Sequence, residues 1–429
     1  MAQILVIGGS LGGLLAANML HRAGHDVTLL EKATTSLDGR GAGIVTHPLL
    51  VQAMQRCGVP VDESLGVSVS QRVVLAADGS VQDSVTVPQV LSSWSRLYAL
   101  LLAQFPTERY VQGACVSKLS QDANRVSVQC EDGRRFEADL LIASDGIRSV
   151  VRTHFLPEAQ AEYAGYVAWR GVCDEAVLSK YTLDTLFDNF GFSVPPGELI
   201  IGYPVAGAGN AIAKGQRRYN YVWYRPATSA HELQALMTDA DGQHYPLGIP
   251  PAKVSWRQVA AARQAARELL APQFAEVLEK TPQPFLQPIY DCASSSIAFG
   301  RVALMGDAAF VARPHVGMGV TKAAEDAMAL TDLIAELGAT PQAVQAYEQA
   351  RLAPCQAVIQ RARALGGYMQ VHSKGDARIA ARTMMIETAI DLSGTPLEKI
   401  DQFESLALVI PAQAGIQPCR NTGFPPARE

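Results

Sequence analysis

Long apolar runs, an excess of positive charge and clustered cysteines are all missing from this sequence of 429 residues. A run of about 18 apolar residues, which a membrane-spanning helix needs, does not occur. Lysine and arginine number 36 against 41 aspartates and glutamates, which gives a net charge of −5. Because nucleic-acid surfaces require clustered cations, we expect neither a nucleic acid nor a membrane as a partner.

The seven cysteines are scattered, and no two have the C-x-x-C spacing; they stand at positions 57, 115, 130, 173, 292, 355 and 419. An odd number without regular spacing argues against a disulfide framework and against a zinc site. We therefore predict no bound metal. The sequence opens directly on an apolar segment, without the basic stretch and cleavage site of a secretory signal, so we expect a cytoplasmic protein.

The first 32 residues contain the pattern on which the rest of the prediction depends. Residues 4–7 are wholly apolar, as a strand buried on both faces requires. Glycine-rich residues 8–13 follow, and then a helical stretch at 14–22 that ends near Gly24. Residues 26–30 form a second strand, which Glu31 closes. This order predicts a βαβ unit.

An acid about 20 residues after the glycines completes the pattern of a dinucleotide-binding site. Gly8 allows the tight turn, Gly13 lets helix and strand pack closely, and the helix start offers free N–H groups to a pyrophosphate. Glu31 can accept hydrogen bonds from a ribose. Ser10 replaces the usual middle glycine, but its small side chain still permits close approach, and its hydroxyl can reach a phosphate. The alternative is a glycine-rich turn that binds no ligand.

Two further segments repeat the order of apolar strand, sharp turn and helix. Ser144-Asp145-Gly146 follows a strand predicted at residues 139–143. Gly306-Asp307-Ala308-Ala309 follows a strand predicted at 301–305, and Gly317-Met318-Gly319 precedes a helix at 320–337, whose start favours an anion. Asp307 can bind a ligand hydroxyl, or it serves only to form the turn.

Two other features are compatible with a ligand. The loop Gly39-Arg40-Gly41-Ala42-Gly43 lets backbone pass close to a flat ligand, or it is a plain surface loop. Arg96 stands just before a helix predicted at 97–105, where a cation is unfavourable. An anionic ligand would explain this arginine, and a structural role is the alternative.

The composition changes at about residue 162, where aromatic and β-branched residues become frequent. Strands are predicted at 163–172, 190–194, 199–203 and 219–224, which indicates an antiparallel sheet in a second domain. Aromatic residues on such strands more often form a core than line a ligand site; here they are Trp169, Tyr203, Trp223 and Tyr224. Helices are predicted at 230–237, 256–270, 343–365 and 376–392.

Taken together, the three turns resemble those of the FAD-dependent aromatic hydroxylases, the single-component flavoprotein monooxygenases of the p-hydroxybenzoate hydroxylase type. The resemblance covers about residues 1–370. Ser10, residues 163–172, Tyr203-Pro204 and Arg313-Pro314-His315 resemble a branch of that family that acts on hydroxypyridines. The resemblance implies a small heteroaromatic or phenolic substrate. One departure is Phe310, because many relatives have histidine there.

The resemblance implies an α/β fold: a Rossmann-like FAD-binding domain with a parallel sheet, an antiparallel β-sheet substrate domain, and C-terminal helices. We predict the FAD-binding domain at residues 1–160 and 290–370 and the substrate domain at 161–289. A helical segment is predicted at 371–410. We expect residues 411–429 to be a flexible tail without a role in the chemistry.

The family's FAD contacts transfer to matching positions. The pyrophosphate is expected at Gly8, Ser10, Leu11, Gly12 and Gly13, and the adenosine at Glu31, Lys32 and Val116. The loop with Arg40 and Gly43 would pass close to the cofactor, and Arg96 would reach the pyrophosphate or the ribityl chain. Asp145 and Gly146 are associated with FAD and pyridine nucleotide, and Asp307 with the ribityl chain. The flavin's pyrimidine edge is expected at the backbone of Gly317, Gly319 and Val320, where the helix dipole stabilises negative charge.

The implied reaction is hydroxylation. NAD(P)H reduces FAD, O₂ adds at the flavin C4a carbon, and the hydroperoxide transfers one oxygen atom to an electron-rich ring. Deprotonation of a ring hydroxyl would assist, and the candidate residues are His47, Tyr203 and His315. Three alternatives stay open: an FAD-dependent dehydrogenase or oxidase, a non-catalytic flavin-binding redox sensor, and a plain NAD-dependent dehydrogenase. A homodimer is the default expectation because it is the commonest closed assembly.

Overall fold

The computed structural model describes residues 1–37, 43–246, 248–369 and 377–390. The strands are β1 (Gln3–Ile7), β2 (Asp26–Glu31), β3 (Gly43–Thr46), β4 (Val67–Leu75), β5 (Val81–Ser93), β6 (Tyr110–Gln112), β7 (Val116–Gln121), β8 (Val126–Cys130), β9 (Arg135–Ala138), β10 (Leu140–Ala143), β11 (Glu162–Asp174), β12 (Asn189–Ser193), β13 (Leu199–Val205), β14 (Arg218–Pro226), β15 (Phe285–Ala293), β16 (Ala298–Phe299), β17 (Val302–Leu304) and β18 (Phe310–Val311). The helices are α1 (Leu11–Arg22), α2 (Pro48–Arg56), α3 (Trp94–Leu102), α4 (Val150–Phe155), α5 (Lys180–Leu186), α6 (Ala230–Leu236), α7 (Trp256–Leu269), α8 (Pro272–Lys280), α9 (Gly319–Leu337), α10 (Pro341–Gly366) and α11 (Ala377–Glu387).

A parallel sheet in the order β17-β10-β1-β2-β6 carries the predicted βαβ unit, with the short β16 added antiparallel to β17. The apolar residues 4–7 of β1 are buried, as predicted for a strand covered on both faces. Helices α1 and α9 pack against each other and belong to the same core as the sheet. A separate antiparallel sheet, β7-β8-β9, lies beside it.

Helix α1 begins at Leu11, three residues before the predicted start. Gly12 and Gly13 therefore belong to its first turn rather than to the loop before it. A β-carbon on Gly13 would lie 1.8 Å from the carbonyl oxygen of Gly8, so only glycine lets the helix start this close to the end of β1. Helix α3 also begins early, at Trp94, where the Ser93 hydroxyl accepts a hydrogen bond from the Arg96 N–H at 3.1 Å.

The second sheet has the order β18-β15-β11-β14-β13-β12-β4-β5-β3. Its strands are antiparallel except for the parallel pair β12 and β4, which joins residues 189–192 to residues 71–74. The sheet takes strands from residues 43–93 and 285–311 as well as from 162–226. The sheet therefore includes strands from both sides of the domain limits that we predict at 160 and 289. The domain limits themselves stay a prediction. The α/β fold with both kinds of sheet and C-terminal helices is confirmed.

The two faces of this second sheet have different covers, because side chains alternate along each strand. Trp169 and Trp223 lie on the outer face, in a core shared with α5, α7 and α8. Tyr203 and Tyr224 lie on the inner face, in a core shared with the end of α10 and with α11. The four aromatic residues singled out in the sequence therefore divide evenly between the two faces.

Among the described residues, no helix combines the length and the apolar character that crossing a bilayer requires.

We expect the buried ion pair at the start of β14 to be sensitive to loss of one partner. The Arg217 guanidinium contacts the Glu175 carboxylate at 2.7 Å, and both side chains are buried. Burial raises the pKa of Glu175, but the hydrogen bonds and charge of Arg217 outweigh it and leave that pKa below its ordinary value. Arg217→Met should lower the free energy of unfolding by about 3–5 kcal/mol at neutral pH, because an unpaired carboxylate stays buried.

The pH dependence follows from the lowered pKa. The pair stabilises the native state above the unfolded-state pKa of glutamate, about 4.3, and this contribution is lost as the pH falls through the folded-state value. The difference in free energy of unfolding between the wild type and Arg217→Met, measured by urea unfolding, should therefore become smaller in acid. The neighbouring Arg218 pairs with Asp174 at the surface, so Arg218→Met should cost at most about 1 kcal/mol. Equal losses for the two variants would contradict this account.

Candidate active site

The glycine turn and the acid that follows it are already connected. The Glu31 carboxylate is buried and accepts hydrogen bonds from the N–H groups of Gly9 and Ala33, each at 2.7 Å. The Tyr110 hydroxyl donates to the Gly9 carbonyl at 3.1 Å. These bonds fix the Glu31 side chain between the ends of β1 and β2, where the sequence predicted a ribose.

The three turns predicted to bind one cofactor lie side by side. Ile7 pairs with Ala143, and Ala143 pairs with Leu304, so the turns after β1, β10 and β17 leave the same edge of the parallel sheet. A β-carbon on Gly8 would lie 2.2 Å from the Ser144 carbonyl oxygen. Ligands of open parallel sheets bind at this carboxyl edge.

Arg152 of α4 connects the second and third turns. Its side chain is buried, and Nη1 donates to the Ala308 carbonyl at 2.8 Å. Its other nitrogens donate to the carbonyls of Ile147 and Ala159. The sequence gave no reason to single out Arg152, because these carbonyl partners are distant in sequence or belong to irregular backbone.

Asp145 in the second turn has one carboxylate oxygen without a hydrogen bond among the described residues. Its Oδ2 accepts from the Val150 N–H at 2.8 Å, while Oδ1 is buried and has no hydrogen-bond partner among the described residues. Burial raises the pKa of this carboxyl above its ordinary value. An unpaired buried acceptor beside a glycine turn fits a ligand that offers N–H or O–H donors.

Buried charged side chains of α9 and α10 support the third turn through hydrogen bonds and an ion pair. The Gly306 N–H donates to Asp326 Oδ2 at 3.0 Å, and Lys322 Nζ donates to the Gly306 carbonyl at 2.8 Å. Arg351 in turn contacts Asp326 at 2.8 Å. The next residue, Asp307, is exposed and lines the cleft, so the turn presents its carboxylate to a ligand.

The segment predicted to face the flavin adopts the backbone that its glycines allow. Gly317 has a left-handed conformation with φ of 70°, and Gly319 begins α9. No side chain caps this helix, and a β-carbon on Gly319 would meet nothing within 4 Å. The first N–H groups of α9 therefore face an open space. Val320 lines the same cleft.

The remaining cofactor predictions fall at the edges of the site. Arg96 is half-buried and donates to the Ser64 hydroxyl at 2.7 Å. The Ser10 hydroxyl makes no capping hydrogen bond, and the Leu11 side chain is buried in the core, so only its backbone faces outward. Val116 lies two residues after Ala114, whose N–H donates to the Glu31 carbonyl at 2.9 Å. Other predicted residues were Gly146, whose φ of 82° favours glycine, the exposed Lys32, and Arg40, which lies outside the described residues.

A cavity of about 290 Å³ separates these turns from the inner face of the nine-stranded sheet. Its cofactor side is formed by Asp307, Pro314, Gly317, Gly319 and Val320, and Gly43 of β3 also lines it. Its sheet side is formed by Arg170, Phe190, Ile201, Tyr203, Val222, Tyr224 and Gln287. Gly43 packs so closely on this face that a β-carbon would lie 2.3 Å from the Tyr203 ring.

Of the three candidate catalytic residues, Tyr203 lines the cavity and the two histidines do not. Burial raises the pKa of Tyr203 to about 12. His315 is buried, contacts the Ala362 carbonyl through Nε2 at 2.9 Å, and has its pKa lowered by burial to about 4. His47 is buried with Nδ1 at 2.9 Å from the Thr321 hydroxyl. The structure therefore does not bring these three side chains together.

The glycine cradle, the free Asp145 oxygen and the open start of α9 define a dinucleotide site of the flavoprotein monooxygenase type. A family model described as FAD binding domain-like matches residues 163–291. The chain is 32% identical to the 2,6-dihydroxypyridine 3-monooxygenase of Paenarthrobacter nicotinovorans, over 86% of this chain and 91% of the relative. It is 25% identical to the 6-hydroxynicotinate 3-monooxygenase of Bordetella bronchiseptica, over 78% and 83% of the two chains.

Solved structures agree with these relatives. The 2,6-dihydroxypyridine-3-hydroxylase of Arthrobacter nicotinovorans superposes with a TM-score of 0.81 and 31% identity, covering 86% of this chain and 93% of that one. HpxO of Klebsiella pneumoniae, complexed with FAD and uric acid, has the same fold, with a TM-score of 0.72 at 22% identity over 95% and 97% of the chains. This chain belongs to the FAD-dependent aromatic hydroxylases. The resemblance inferred from the sequence is confirmed, and FAD is the cofactor.

The buried support of the third turn should matter for FAD binding. Asp326→Ala removes the acceptor of the Gly306 N–H and leaves the Arg351 charge uncompensated on that side. We expect the free energy of unfolding to fall by about 3–5 kcal/mol. We also expect FAD affinity to fall at least about tenfold, since a shared network holds the turn.

Fluorescence-quench titration of the apoprotein with FAD and thermal unfolding measure the two effects. Asp332→Ala is the matched control on the same helix, because Asp332 only forms a surface ion pair with Arg56. That variant should bind FAD like the wild type. Unchanged FAD affinity in Asp326→Ala would show that the network is not needed to position Asp307.

Proposed function

We propose that this protein hydroxylates a small, electron-rich heteroaromatic ring of the hydroxypyridine class, with FAD as cofactor, NAD(P)H as reductant and O₂ as the source of oxygen. The single observation that supports the substrate class is the cavity between the cofactor turns and the aromatic sheet face. The cavity is bounded on one side by the residues proposed for the flavin, which leaves its aromatic and apolar sheet side for the substrate ring. Two relatives are named after hydroxylated pyridine rings, dihydroxypyridine and hydroxynicotinate.

The residues present fit FAD, and we propose these roles for them. The glycine turn with Ser10 would hold the pyrophosphate, Glu31 the adenosine ribose, and Asp307 the ribityl chain. Asp145 would offer its free oxygen to a donor group of the cofactor or of the nicotinamide nucleotide. When bound, FAD accepts a hydride from NAD(P)H and activates O₂. The N–H groups at Gly319 and Val320 would stabilise negative charge on its ring.

The sheet face would orient the substrate and keep water out. Phe190, Ile201 and Val222 supply an apolar surface beside the rings of Tyr203 and Tyr224. Burial raises the pKa of Tyr224 as well as that of Tyr203, so both hydroxyls stay protonated and can act only as hydrogen-bond partners near neutral pH. We therefore propose Tyr203 as a substrate-binding residue. His47 and His315 do not line the cavity, so we do not propose them as bases.

A cytoplasmic location and a homodimer remain further proposals. The six described cysteines are all free thiols, which suits a reducing compartment. The proposal of a homodimer is supported only by the general frequency of twofold assemblies among proteins. Analytical ultracentrifugation of the holoenzyme would decide the second point.

A substrate screen tests the proposed reaction. Hydroxypyridines and phenols are offered to the FAD-loaded enzyme, and NAD(P)H consumption is followed under ¹⁸O₂. The expected result is substrate-stimulated consumption and a product that gains one ¹⁸O atom. Stimulated consumption with an oxidised but unlabelled product would indicate a dehydrogenase or oxidase instead. Complete absence of stimulation would favour a non-catalytic flavin-binding protein.

Tyr203→Phe tests the role of the phenol. Because the Tyr203 pKa is about 12, its hydroxyl does not titrate between about pH 6 and 9, and the pH profile of kcat/KM should keep its shape. Its magnitude should fall about two- to tenfold, the size of one lost hydrogen bond. Tyr163→Phe is the control, since the Tyr163 hydroxyl donates to the Ala227 carbonyl. A limb of the profile that disappears only in Tyr203→Phe would contradict a neutral phenol.

A further inference from the structure

Arg72 on β4 is a buried cation whose hydrogen bonds, among the described residues, all go to neutral groups. It pairs in register with Phe190 of β12, so both side chains lie on the inner face of the nine-stranded sheet. The guanidinium carbon lies 5.2 Å from the centre of the Phe190 ring, and that ring lines the active-site cavity. The Arg72 Nε donates to Gln89 Oε1 at 2.9 Å. Arg72 therefore lies directly behind the wall of the cavity.

The other nitrogens of Arg72 bind the C-terminal end of α11. Its Nη1 donates to the carbonyls of Met385 at 2.9 Å and Thr388 at 2.5 Å, and its Nη2 donates to the Ala389 carbonyl at 2.9 Å. Carbonyls at the end of a helix lack partners within the helix and carry the negative end of its dipole. A buried guanidinium that binds three of them satisfies its own charge and fixes the end of α11 on the sheet.

Ala389 lies where this fixed helix end meets the flavin-facing glycines. Its φ of 50° is in the left-handed region, which is costly for a residue with a β-carbon and persists where the surroundings hold it. Its N–H donates to the His315 carbonyl at 3.1 Å. A β-carbon on Gly317 would lie 2.5 Å from the β-carbon of Ala389. Because Ala389 is buried and lines the cavity, the end of α11 is part of the active-site wall.

The same helix end also borders an outer groove of about 610 Å³. Ile390 lines this groove together with residues of α2, β4 and β5, several of which are exposed. Adjacent residues of the chain thus face different spaces, since Ala389 lines the cavity and Ile390 lines the groove. β3 shows the same change, from Val45 on the cavity to Thr46 on the groove. The end of α11 and β3 therefore separate the active-site cavity from the groove.

We propose that Arg72 is a positioning residue for the reaction: by holding the end of α11, it keeps the cavity closed towards the outer groove and keeps bulk water from the flavin. This inference rests on the proposed monooxygenase function. In the coupled reaction, the ring, O₂, NAD(P)H and H⁺ give the hydroxylated ring, NAD(P)⁺ and water. When bulk water reaches the site, O₂, NAD(P)H and H⁺ give H₂O₂ and NAD(P)⁺, and the ring is unchanged. A closed wall suppresses this second outcome.

Arg72→Met tests the wall by hydrogen–deuterium exchange of the FAD-loaded enzyme without turnover. Exchange of the peptide that contains Ala389 should become at least about tenfold faster, because hydrogen bonds to a charged group are lost. Exchange in β1 should stay as in the wild type, which distinguishes a local opening of the helix end from a general loss of stability.

The second measurement is the amount of H₂O₂ formed per NAD(P)H consumed with a hydroxypyridine substrate. Arg72→Met should raise it at least about twofold, because water gains access to the site. Arg72→Lys keeps a charge beside the same carbonyls and should restore part of both effects. If Arg72→Met does not fold, Arg72→Gln replaces it as the uncharged variant.

Arg382→Met is the matched control on the same helix. Arg382 forms an exposed ion pair with Asp83 of β5 and lines neither the cavity nor the groove. The Ala389 peptide of this variant should exchange as in the wild type, and its H₂O₂ yield should not change.

The outcomes separate this inference from the proposed function. Unchanged exchange of the helix end in the uncharged variant would overturn the positioning role, whatever reaction the enzyme catalyses. Faster exchange with an unchanged H₂O₂ yield would overturn it as well, because the helix end would then not keep water from the site. Failure of lysine to restore either effect would contradict a role of the charge. A wild type whose products gain no ¹⁸O would refute the monooxygenase reaction, while the exchange measurement still decides whether Arg72 holds α11.

Discussion

The site depends on backbone approaching backbone more closely than a side chain would allow. Gly8 contacts the Ser144 carbonyl, and Gly13 contacts Gly8 itself, at distances that leave no room for a β-carbon. These contacts bring the ends of β1 and β10 together and set the start of α1 against them. The position of the third turn, after β17, follows because β17 pairs with β10 in the same sheet. One steric requirement thus locates all three turns.

Irregular backbone at a strand end still needs hydrogen-bond partners, and buried charges provide them here. Arg152 binds carbonyls of the second and third turns, while Lys322 and Asp326 bind the carbonyl and the N–H of Gly306. Ionic groups in these places serve the backbone and leave Asp145 and Asp307 available. The two carboxylates differ in their hydrogen bonding: Asp326 is satisfied by Gly306 and Arg351, whereas one oxygen of Asp145 has no partner among the described residues.

The sequence predicted the structure well where the local backbone geometry requires a particular residue type. The βαβ unit was predictable because glycine, apolar run and acid are all needed within one short stretch. The membership of the second sheet was not, since the pairing of β4 with β12 joins segments more than a hundred residues apart. Short α5 and α8 gave too little periodicity to be noticed. The position of Arg170 was missed because an arginine in a strand is expected to face solvent. Its pairing with Val222 shows that it lies on the inner face of the sheet.

The electrostatics of the cavity are consistent with a protein that does not take the substrate's proton. On the sheet side both phenols have raised pKa values, and the histidine closest in sequence to the flavin-facing glycines is buried, with a pKa of about 4. His315 is therefore neutral at ordinary pH. Two arginines of this sheet face, Arg170 beside Gln287 and Arg72 against the Phe190 ring, carry charge in a mostly apolar space, where a charge exerts a stronger field than in water. Near neutral pH the two phenols and His315 can therefore act on a bound ligand as hydrogen-bond partners and not as proton acceptors.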